Sequence, residues 1–147
     1  MEHFLDVSKD MVRILFIQLL IAFCLPNLVL AQDVVGMRSD SIKILMSRTY
    51  PEYILNTTNV NKSYNYLKYE DFLGTQTILL FLSDSNTCRY VKRMCSYSLL
   101  DKVIDQLNTK YEQLNDTLWT FNDGENQMTK QLEKEDWFFT VVTKIQQ

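Results

Sequence analysis

Residues 75–82, Thr-Gln-Thr-Ile-Leu-Leu-Phe-Leu, are the stretch from which the fold follows. β-Branched residues begin the run and apolar residues fill the rest of it. Gly74 precedes it, and the turn-forming residues 83–86, Ser-Asp-Ser-Asn, follow it. A run of this length between turn signals predicts a buried strand. Residues 87–94 predict its partner strand, so a strand pair forms the centre of the expected fold.

A short helix is predicted before this pair. Ile42, Leu45 and Met46 have the spacing of one helical face, and Ser39 or Asp40 would cap the helix. Residues 55–62 are rich in Asn and Thr and are interpreted as a loop. Residues 64–72 fit a helix and a strand equally well.

At the start of the second half of the chain, the apolar side chains fit two different spacings. Residues 98–114 place apolar side chains at helical spacing, but a period of two also fits imperfectly, and the local pattern favours a helix. After the turn signal at residues 122–124, a polar and charged stretch extends to residue 136. Residues 137–145 are rich in β-formers and predict a final strand. No internal repeat is visible, and the sequence predicts a β-rich α+β domain.

An export signal is predicted at the N-terminus. Arg13 precedes about 12 apolar residues, which suit a signal peptide and fall short of the ~20 needed to span a membrane. We therefore expect residues 1–31 to be a signal peptide, with Met11 as an alternative start and an uncleaved anchor as the alternative outcome. Residues 32–147 would form a single secreted binding domain, with no membrane contact after cleavage.

Charge and histidine content exclude several classes of function. The only histidine, His3, precedes the expected cleavage site, so residues 32–147 cannot build a Ser-His-Asp triad or a histidine-ligated zinc site. Charges of both signs are interspersed, which argues against nucleic-acid binding. Glu133, Glu135 and Asp136 lie in a charged run typical of solvated surface, although a hydrolase that uses carboxylates alone stays an alternative. The sequence indicates no enzyme, no metal site and no cofactor.

Two cysteines remain after the expected cleavage, Cys88 and Cys95. An even pair in an exported protein predicts a disulfide, and residues 87–95 could fold back to join the two sulfur atoms. Pairing with another chain is the alternative.

Three Asn-x-Ser/Thr sequons predict glycosylation at Asn56, Asn61 and Asn115. Glycosylation would place each of these asparagines on the surface. The alternative is that polar loops match the pattern by chance.

Aromatic side chains are abundant after residue 31 and have no catalytic partners. Tyr and Trp combine an apolar body with a polar tip, as the residues that line ligand sites do. Ordinary core packing is the alternative for many of them. The candidate ligand-binding residues are Tyr64, Tyr66, Phe72, Tyr90, Trp119 and Trp137.

Three short segments carry a family resemblance: Arg48-Thr49-Tyr50, Cys88-Arg89-Tyr90-Val91-Lys92 and Asn115-Asp116-Thr117-Leu118-Trp119. With the export signal and the short helix, they resemble the N-terminal half of tick salivary lipocalins, the group that includes the histamine-binding proteins. The resemblance implies a partial or shortened lipocalin-like antiparallel barrel with a central cavity. It also implies a salivary protein that captures host amines, lipids or proteins during feeding.

The expected function is that of a secreted, non-enzymatic protein that sequesters a small amine or lipid-like ligand and modulates host defence. The alternative is a secreted glycoprotein module that binds a host or partner protein through an aromatic face and has no internal cavity.

Overall fold

The computed structural model describes residues 34–57 and 64–146. The expected signal peptide and the sequon at Asn61 lie outside these residues. Within them, every helix is too short or too polar to cross a membrane.

The described chain forms one antiparallel sheet of eight strands and two helices. The strand order is β1-β2-β3-β4-β8-β7-β6-β5, so β1 and β5 form the two edges of an open sheet. This confirms the β-rich prediction with its two helices. In chain order the elements are α1 (Ser39–Thr49), β1 (Tyr53–Leu55), β2 (Tyr66–Asp71), β3 (Gln76–Leu82), β4 (Cys88–Ser96), a 3-10 turn (Tyr97–Leu99), α2 (Leu100–Lys110), β5 (Glu112–Asn115), β6 (Leu118–Asn122), β7 (Gln127–Lys134) and β8 (Phe138–Ile145).

The central strand pair and both helices are confirmed. β3 and β4 pair antiparallel, with Ile78 opposite Arg93. Residues 98–114 contain α2, which ends at Lys110, so the helix prediction is wrong for residues 112–114, which belong to β5. The ambiguous residues 64–72 contain strand β2, in which Tyr69 is buried and the other residues are half-buried.

The polar stretch before residue 136 contains β7, an interior strand that the sequence did not predict. It pairs with both β6 and β8. Met128, Lys130 and Leu132 alternate along β7 and are all buried. The pattern is hidden in the sequence because a lysine occupies one of the three inward positions. The charged run of Glu133, Glu135 and Asp136 at the end of this stretch is exposed, which confirms its assignment to the surface.

The fold repeats one arrangement, a helix followed by a four-stranded antiparallel meander. The first unit comprises α1 and β1–β4, the second comprises α2 and β5–β8, and the units join where β4 pairs with β8. Both helices pack on the same face of the sheet. The first core contains Val34, Ile42, Met46, Tyr50, Tyr53, Tyr69, Ile78, Leu80, Cys88 and Val91. The second contains Cys95, Val103, Leu107, Tyr111, Trp119, Leu132, Phe139 and Val141.

The two helices repeat the same positions at identical spacing. Asp40, Ile42, Met46 and Tyr50 in the first unit correspond to Asp101, Val103, Leu107 and Tyr111 in the second. The aspartates lie in the first helical turn, and the other members of both sets are buried. Each tyrosine ends its helix by donating its backbone N–H to the carbonyl four residues earlier, at 3.0 Å. The repeat that was not visible in the whole sequence is therefore present in the helices.

The predicted disulfide between Cys88 and Cys95 is wrong. Both cysteines are free and buried, and both lie in strand β4. Seven residues of strand separate their Cα atoms by roughly 23 Å, whereas a disulfide requires less than about 7 Å. The residues expected to fold back instead continue as one strand, and each thiol packs in a different core.

Burial controls the chemistry of these thiols. It raises the pKa of Cys88 from 9.0 to about 12 and also raises the pKa of Cys95. A raised folded pKa disfavours the reactive thiolate. It also makes the folded state less stable as the pH rises above 9, where the thiols of the unfolded chain ionise first.

We therefore expect neither Cys88 nor Cys95 to be alkylated rapidly in the folded protein at pH 8, and both to be alkylated in denaturant. Mass spectrometry of the labelled peptides would measure this for each cysteine separately. An unlabelled Cys88–Cys95 pair in denaturant without reductant would contradict the free-thiol structure.

Candidate binding surface

An aromatic row crosses the face of the sheet that points away from both helices, which we call the outer face. Tyr66 lies opposite Phe81, and Phe81 lies opposite Tyr90. The rings of Phe81 and Tyr90 stack with centroids 4.4 Å apart and planes 11° apart, and those of Tyr66 and Phe81 are tilted at 5.8 Å. These three residues, the aromatic row, form a continuous half-buried apolar ridge.

Strand alternation explains why these side chains point outward. In β3, Ile78 and Leu80 pack against α1 in the first core. Successive side chains of a strand point to opposite faces, so Leu79 and Phe81 belong to the outer face. The apolar run that predicted a buried strand is therefore apolar on both faces, although only one face is covered by a helix.

Three lysines lie beside the aromatic row on the outer face. Leu79 separates Lys68 from Lys92 along the sheet, and Lys144 lies opposite Tyr90. The amine of Lys68 is 2.7 Å from a carboxylate oxygen of Glu70. Within the described residues, Lys92 and Lys144 make no ion pair, so their positive charges are available to a partner.

The electrostatics of Glu70 and Tyr90 fit this arrangement. Hydrogen bonds from Lys68 and then Asn56 lower the pKa of Glu70, which keeps its carboxylate ionised. Burial raises the pKa of Tyr90, and the positive charge of Arg89 lowers it to a smaller extent.

Arg93 is oriented differently from its neighbour Lys92. It belongs to the helix side of the sheet, where its guanidinium donates hydrogen bonds to the Oε1 atom of Gln76. The hydroxyl of Tyr53 donates to the same oxygen at 3.1 Å. Of these two neighbouring basic residues of β4, Lys92 therefore lies on the outer face with the aromatic row, and Arg93 lies on the opposite face.

The six predicted ligand-binding residues do not form one site. Tyr66 and Tyr90 both belong to the aromatic row, and Tyr64, two residues before Tyr66, is exposed. Phe72 and Trp137 are exposed in turns at the opposite end of the sheet. Trp119 is fully buried in the second core, where its indole N–H donates to Asn108 Oδ1 at 2.8 Å.

Sequence reasoning missed Phe81, Lys92 and Lys144. Phe81 was hidden inside an apolar run, and only the alternation around Ile78 and Leu80 assigns it to the outer face. Lys144 is placed beside Tyr90 by the pairing of β4 with β8, which local sequence patterns do not specify. Lys92 follows Tyr90 by two residues in β4 itself, so strand alternation puts both on the outer face.

Packed side chains fill the space between the sheet and the helices, where a barrel would have its cavity. Three depressions lined by described residues open onto the surface. One, of about 330 Å³, is on the outer face beside Lys144, with Leu118, Thr129, Gln131, Glu133, Val142 and Gln146 as its other lining residues.

Two of the sequon asparagines are described. Asn115 is exposed in the turn between β5 and β6, and its Oδ1 accepts hydrogen bonds from the backbone N–H and the hydroxyl of Thr117 at 3.0 and 3.2 Å. Asn56 is half-buried and donates from its side-chain amide to Glu70 at 2.7 Å. The sequon at Asn115 is therefore the more accessible of these two.

Within residues 34–57 and 64–146, no three His, Cys, Asp or Glu side chains are grouped closely enough to hold a metal ion. Comparison of the chain with protein-family models, with curated proteins and with solved structures gives no match.

Proposed function

We propose that this chain is a secreted, non-catalytic module that binds an acidic surface of a partner protein through its outer face. The observation that carries the proposal is the aromatic row bordered by Lys92 and Lys144, two cations without ion pairs among the described residues. It corresponds to the alternative function inferred from the sequence, binding by an aromatic face.

Aromatic side chains and flanking charges contribute differently to such binding. Tyrosines at the centre of an interface commonly supply much of the binding energy, because they bury a large rigid surface and retain a polar tip. Lysines at the rim accelerate and orient association with a partner of opposite charge. Residues 34–96, which contain the aromatic row, carry eight Lys and Arg against five Asp and Glu, so this half of the chain favours an acidic partner.

Sequestration of a small amine or lipid is the less favoured function. It would use a cavity, and the region between the sheet and the helices is occupied by core side chains. A relationship to tick salivary lipocalins stays a proposal. In an up-and-down barrel each strand lies beside the next along the chain, whereas here β4 lies beside β8.

Reversing the charges of Lys92 and Lys144 tests the proposal. We expect K92E/K144E to bind an acidic glutamate–tyrosine copolymer at least tenfold more weakly than the unaltered protein, since two attractive contacts become repulsive. The matched control is K102E/K110E, which makes the same charge change on two exposed lysines of α2. Biolayer interferometry at two salt concentrations would measure both.

Equal weakening by the two variants would show that net charge, not the outer face, drives binding. Preference for heparin over the copolymer would assign the surface to a sulfated polysaccharide and overturn the protein-partner proposal. A saturable change in tryptophan fluorescence with biogenic amines or fatty acids would instead favour small-ligand sequestration.

A further inference from the structure

We propose that one end of the sheet docks on a zwitterionic lipid surface through Phe72, Leu73 and Trp137, which we call the apolar tips. This inference goes beyond the proposed function and uses a different surface. The apolar tips are 70%, 84% and 88% exposed, respectively. It revises the sequence expectation that the protein makes no membrane contact.

The two turns that carry the apolar tips are neighbours in space. Phe72 and Leu73 follow β2, and Trp137 lies between β7 and β8. Gln76 at the start of β3 pairs with Cys95, and the next residue of β4, Ser96, pairs with Phe138. Only β4 therefore separates the two turns along this end of the sheet. Both turns border one groove of about 220 Å³.

Hydrogen bonds hold the first turn in place. The carboxylate of Asp71 accepts from the backbone N–H of Gln76 at 2.9 Å and from the hydroxyl of Thr75 at 2.6 Å. Gly74 adopts φ +66°, a left-handed conformation that favours glycine, and donates to the Asp71 carbonyl at 3.1 Å. Phe72 and Leu73 therefore project from a turn whose backbone is already ordered.

The second turn is fixed in a similar way. The backbone N–H of Glu135 donates to the carbonyl of Phe138 at 2.9 Å. The hydroxyl of Tyr97 donates to the Glu135 carbonyl at 2.5 Å, which joins this turn to the segment before α2. Because both turns are already ordered, docking would cost little conformational entropy. Most of the free energy gained by burying Trp137 would therefore contribute to binding.

The shape of this end favours a lipid surface over a protein. Protein interfaces reach core-like complementarity, so isolated projecting side chains would need matching pockets in the partner. The interfacial region of a bilayer accommodates projecting side chains of any arrangement. Tryptophan is enriched there because its ring is apolar and its N–H can contact the headgroup region.

Charge determines which lipid surface fits. The charged residues in and beside the two turns are Asp71, Glu133, Lys134, Glu135 and Asp136, four acids and one base. An anionic bilayer would repel this end, whereas a zwitterionic one would not. The aromatic row is at the other end of the strands, so both surfaces can be used at once. The Asn115 sequon is at the same end as Trp137 but at the edge of the sheet.

Vesicle sedimentation tests the proposal. We expect the protein to bind phosphatidylcholine vesicles, and to bind at least threefold less when one-fifth of the lipid is phosphatidylserine. F72S/L73S/W137S should reduce binding at least tenfold. The matched control, I44S/I145S, removes partly exposed isoleucines (53% and 39% exposed) away from this end and should bind as the unaltered protein does. Circular dichroism should show all variants folded, and samples with and without glycosidase treatment should agree.

Tryptophan emission gives a second, local measurement. Trp119 is buried, so a shift to shorter wavelength on adding phosphatidylcholine vesicles should come from Trp137 and should be absent in W137S. Failure of the unaltered protein to sediment with vesicles would overturn the proposal, as would equal binding by the triple variant. A protein dimer that dissociates in the triple variant would assign the apolar tips to contact with a second copy. Lys92 and Lys144 could attract the vesicles that contain phosphatidylserine, so that comparison is made in K92E/K144E. Binding to phosphatidylcholine alone does not involve these lysines, so this proposal and the proposed function fail independently.

Discussion

Replacing Trp119 with alanine is expected to lower the free energy of unfolding by about 3–5 kcal/mol. Trp119 is fully buried, packs in the second core and donates its indole N–H to Asn108. The substitution removes that apolar surface, leaves a cavity between the sheet and α2 and takes away the hydrogen-bond donor. Urea unfolding followed by circular dichroism would measure the loss.

The matched control is the same substitution at Trp137, which is 88% exposed. We expect W137A to change the free energy of unfolding by less than about 0.5 kcal/mol, as surface substitutions usually do. Comparable losses at Trp119 and Trp137 would contradict the assignment of Trp119 to the core, and would restore it as a candidate ligand-binding residue.

Reversing the charge at Lys130 is expected to have an effect of similar size. Lys130 is fully buried, its amine lies 5.0 Å from the ring centre of Tyr111 and 5.2 Å from that of Phe121, and it donates to the Thr143 hydroxyl at 3.0 Å. Aromatic faces attract a cation and repel an anion. We therefore expect K130E to cost about 3–5 kcal/mol, the scale of an uncompensated buried charge.

Methionine at position 130 separates charge from packing. K130M retains a long flexible side chain but loses the cation–π contacts and the bond to Thr143, so we expect a cost of about 1–2 kcal/mol. Urea unfolding would compare the two variants. Equal effects of K130E and K130M would mean that the positive charge contributes little, and that volume alone matters at this position.

The parts of the fold that could be predicted from the sequence are those whose local residue pattern fits only one secondary structure. The helical spacing of Ile42 and Met46 predicts burial directly, and the structure confirms it. The apolar run in β3 predicts a strand correctly, but within it only Ile78 and Leu80 are buried. β5, Glu112–Asn115, gives no signal because it is a short edge strand with every side chain exposed. β7 was missed because Lys130 occupies an inward position, where the surrounding aromatic rings compensate its charge.

The repeated arrangement could not be detected at a fixed spacing along the whole chain. The connection from β1 to β2 is much longer than the one from β5 to β6, so the helices and the later strands of the two units repeat at different intervals. What the units share is a set of burial positions, such as Met46 and Leu107, more than a set of identical residues.

The candidate surface was predicted in part. Tyr64, Tyr66 and Tyr90 were chosen by residue type, but the same criterion selected Trp119, which lies in the core. Residue type does not determine which face of a sheet a side chain occupies, because that depends on strand register. The register of β4 with β8 also brings Lys144 beside Tyr90 from far along the sequence.

The position of Cys95 determines whether the chain can be divided into two halves that each have a complete core. Cys95 belongs to the last strand of the first unit but packs in the second core, beside Phe139 and Val141. The order of elements suggests a division between Ser96 and Leu100. That division would separate α2 and its meander from Cys95 and expose part of the second core. Neither half is a self-contained module, because the core of the second unit includes a side chain from the first.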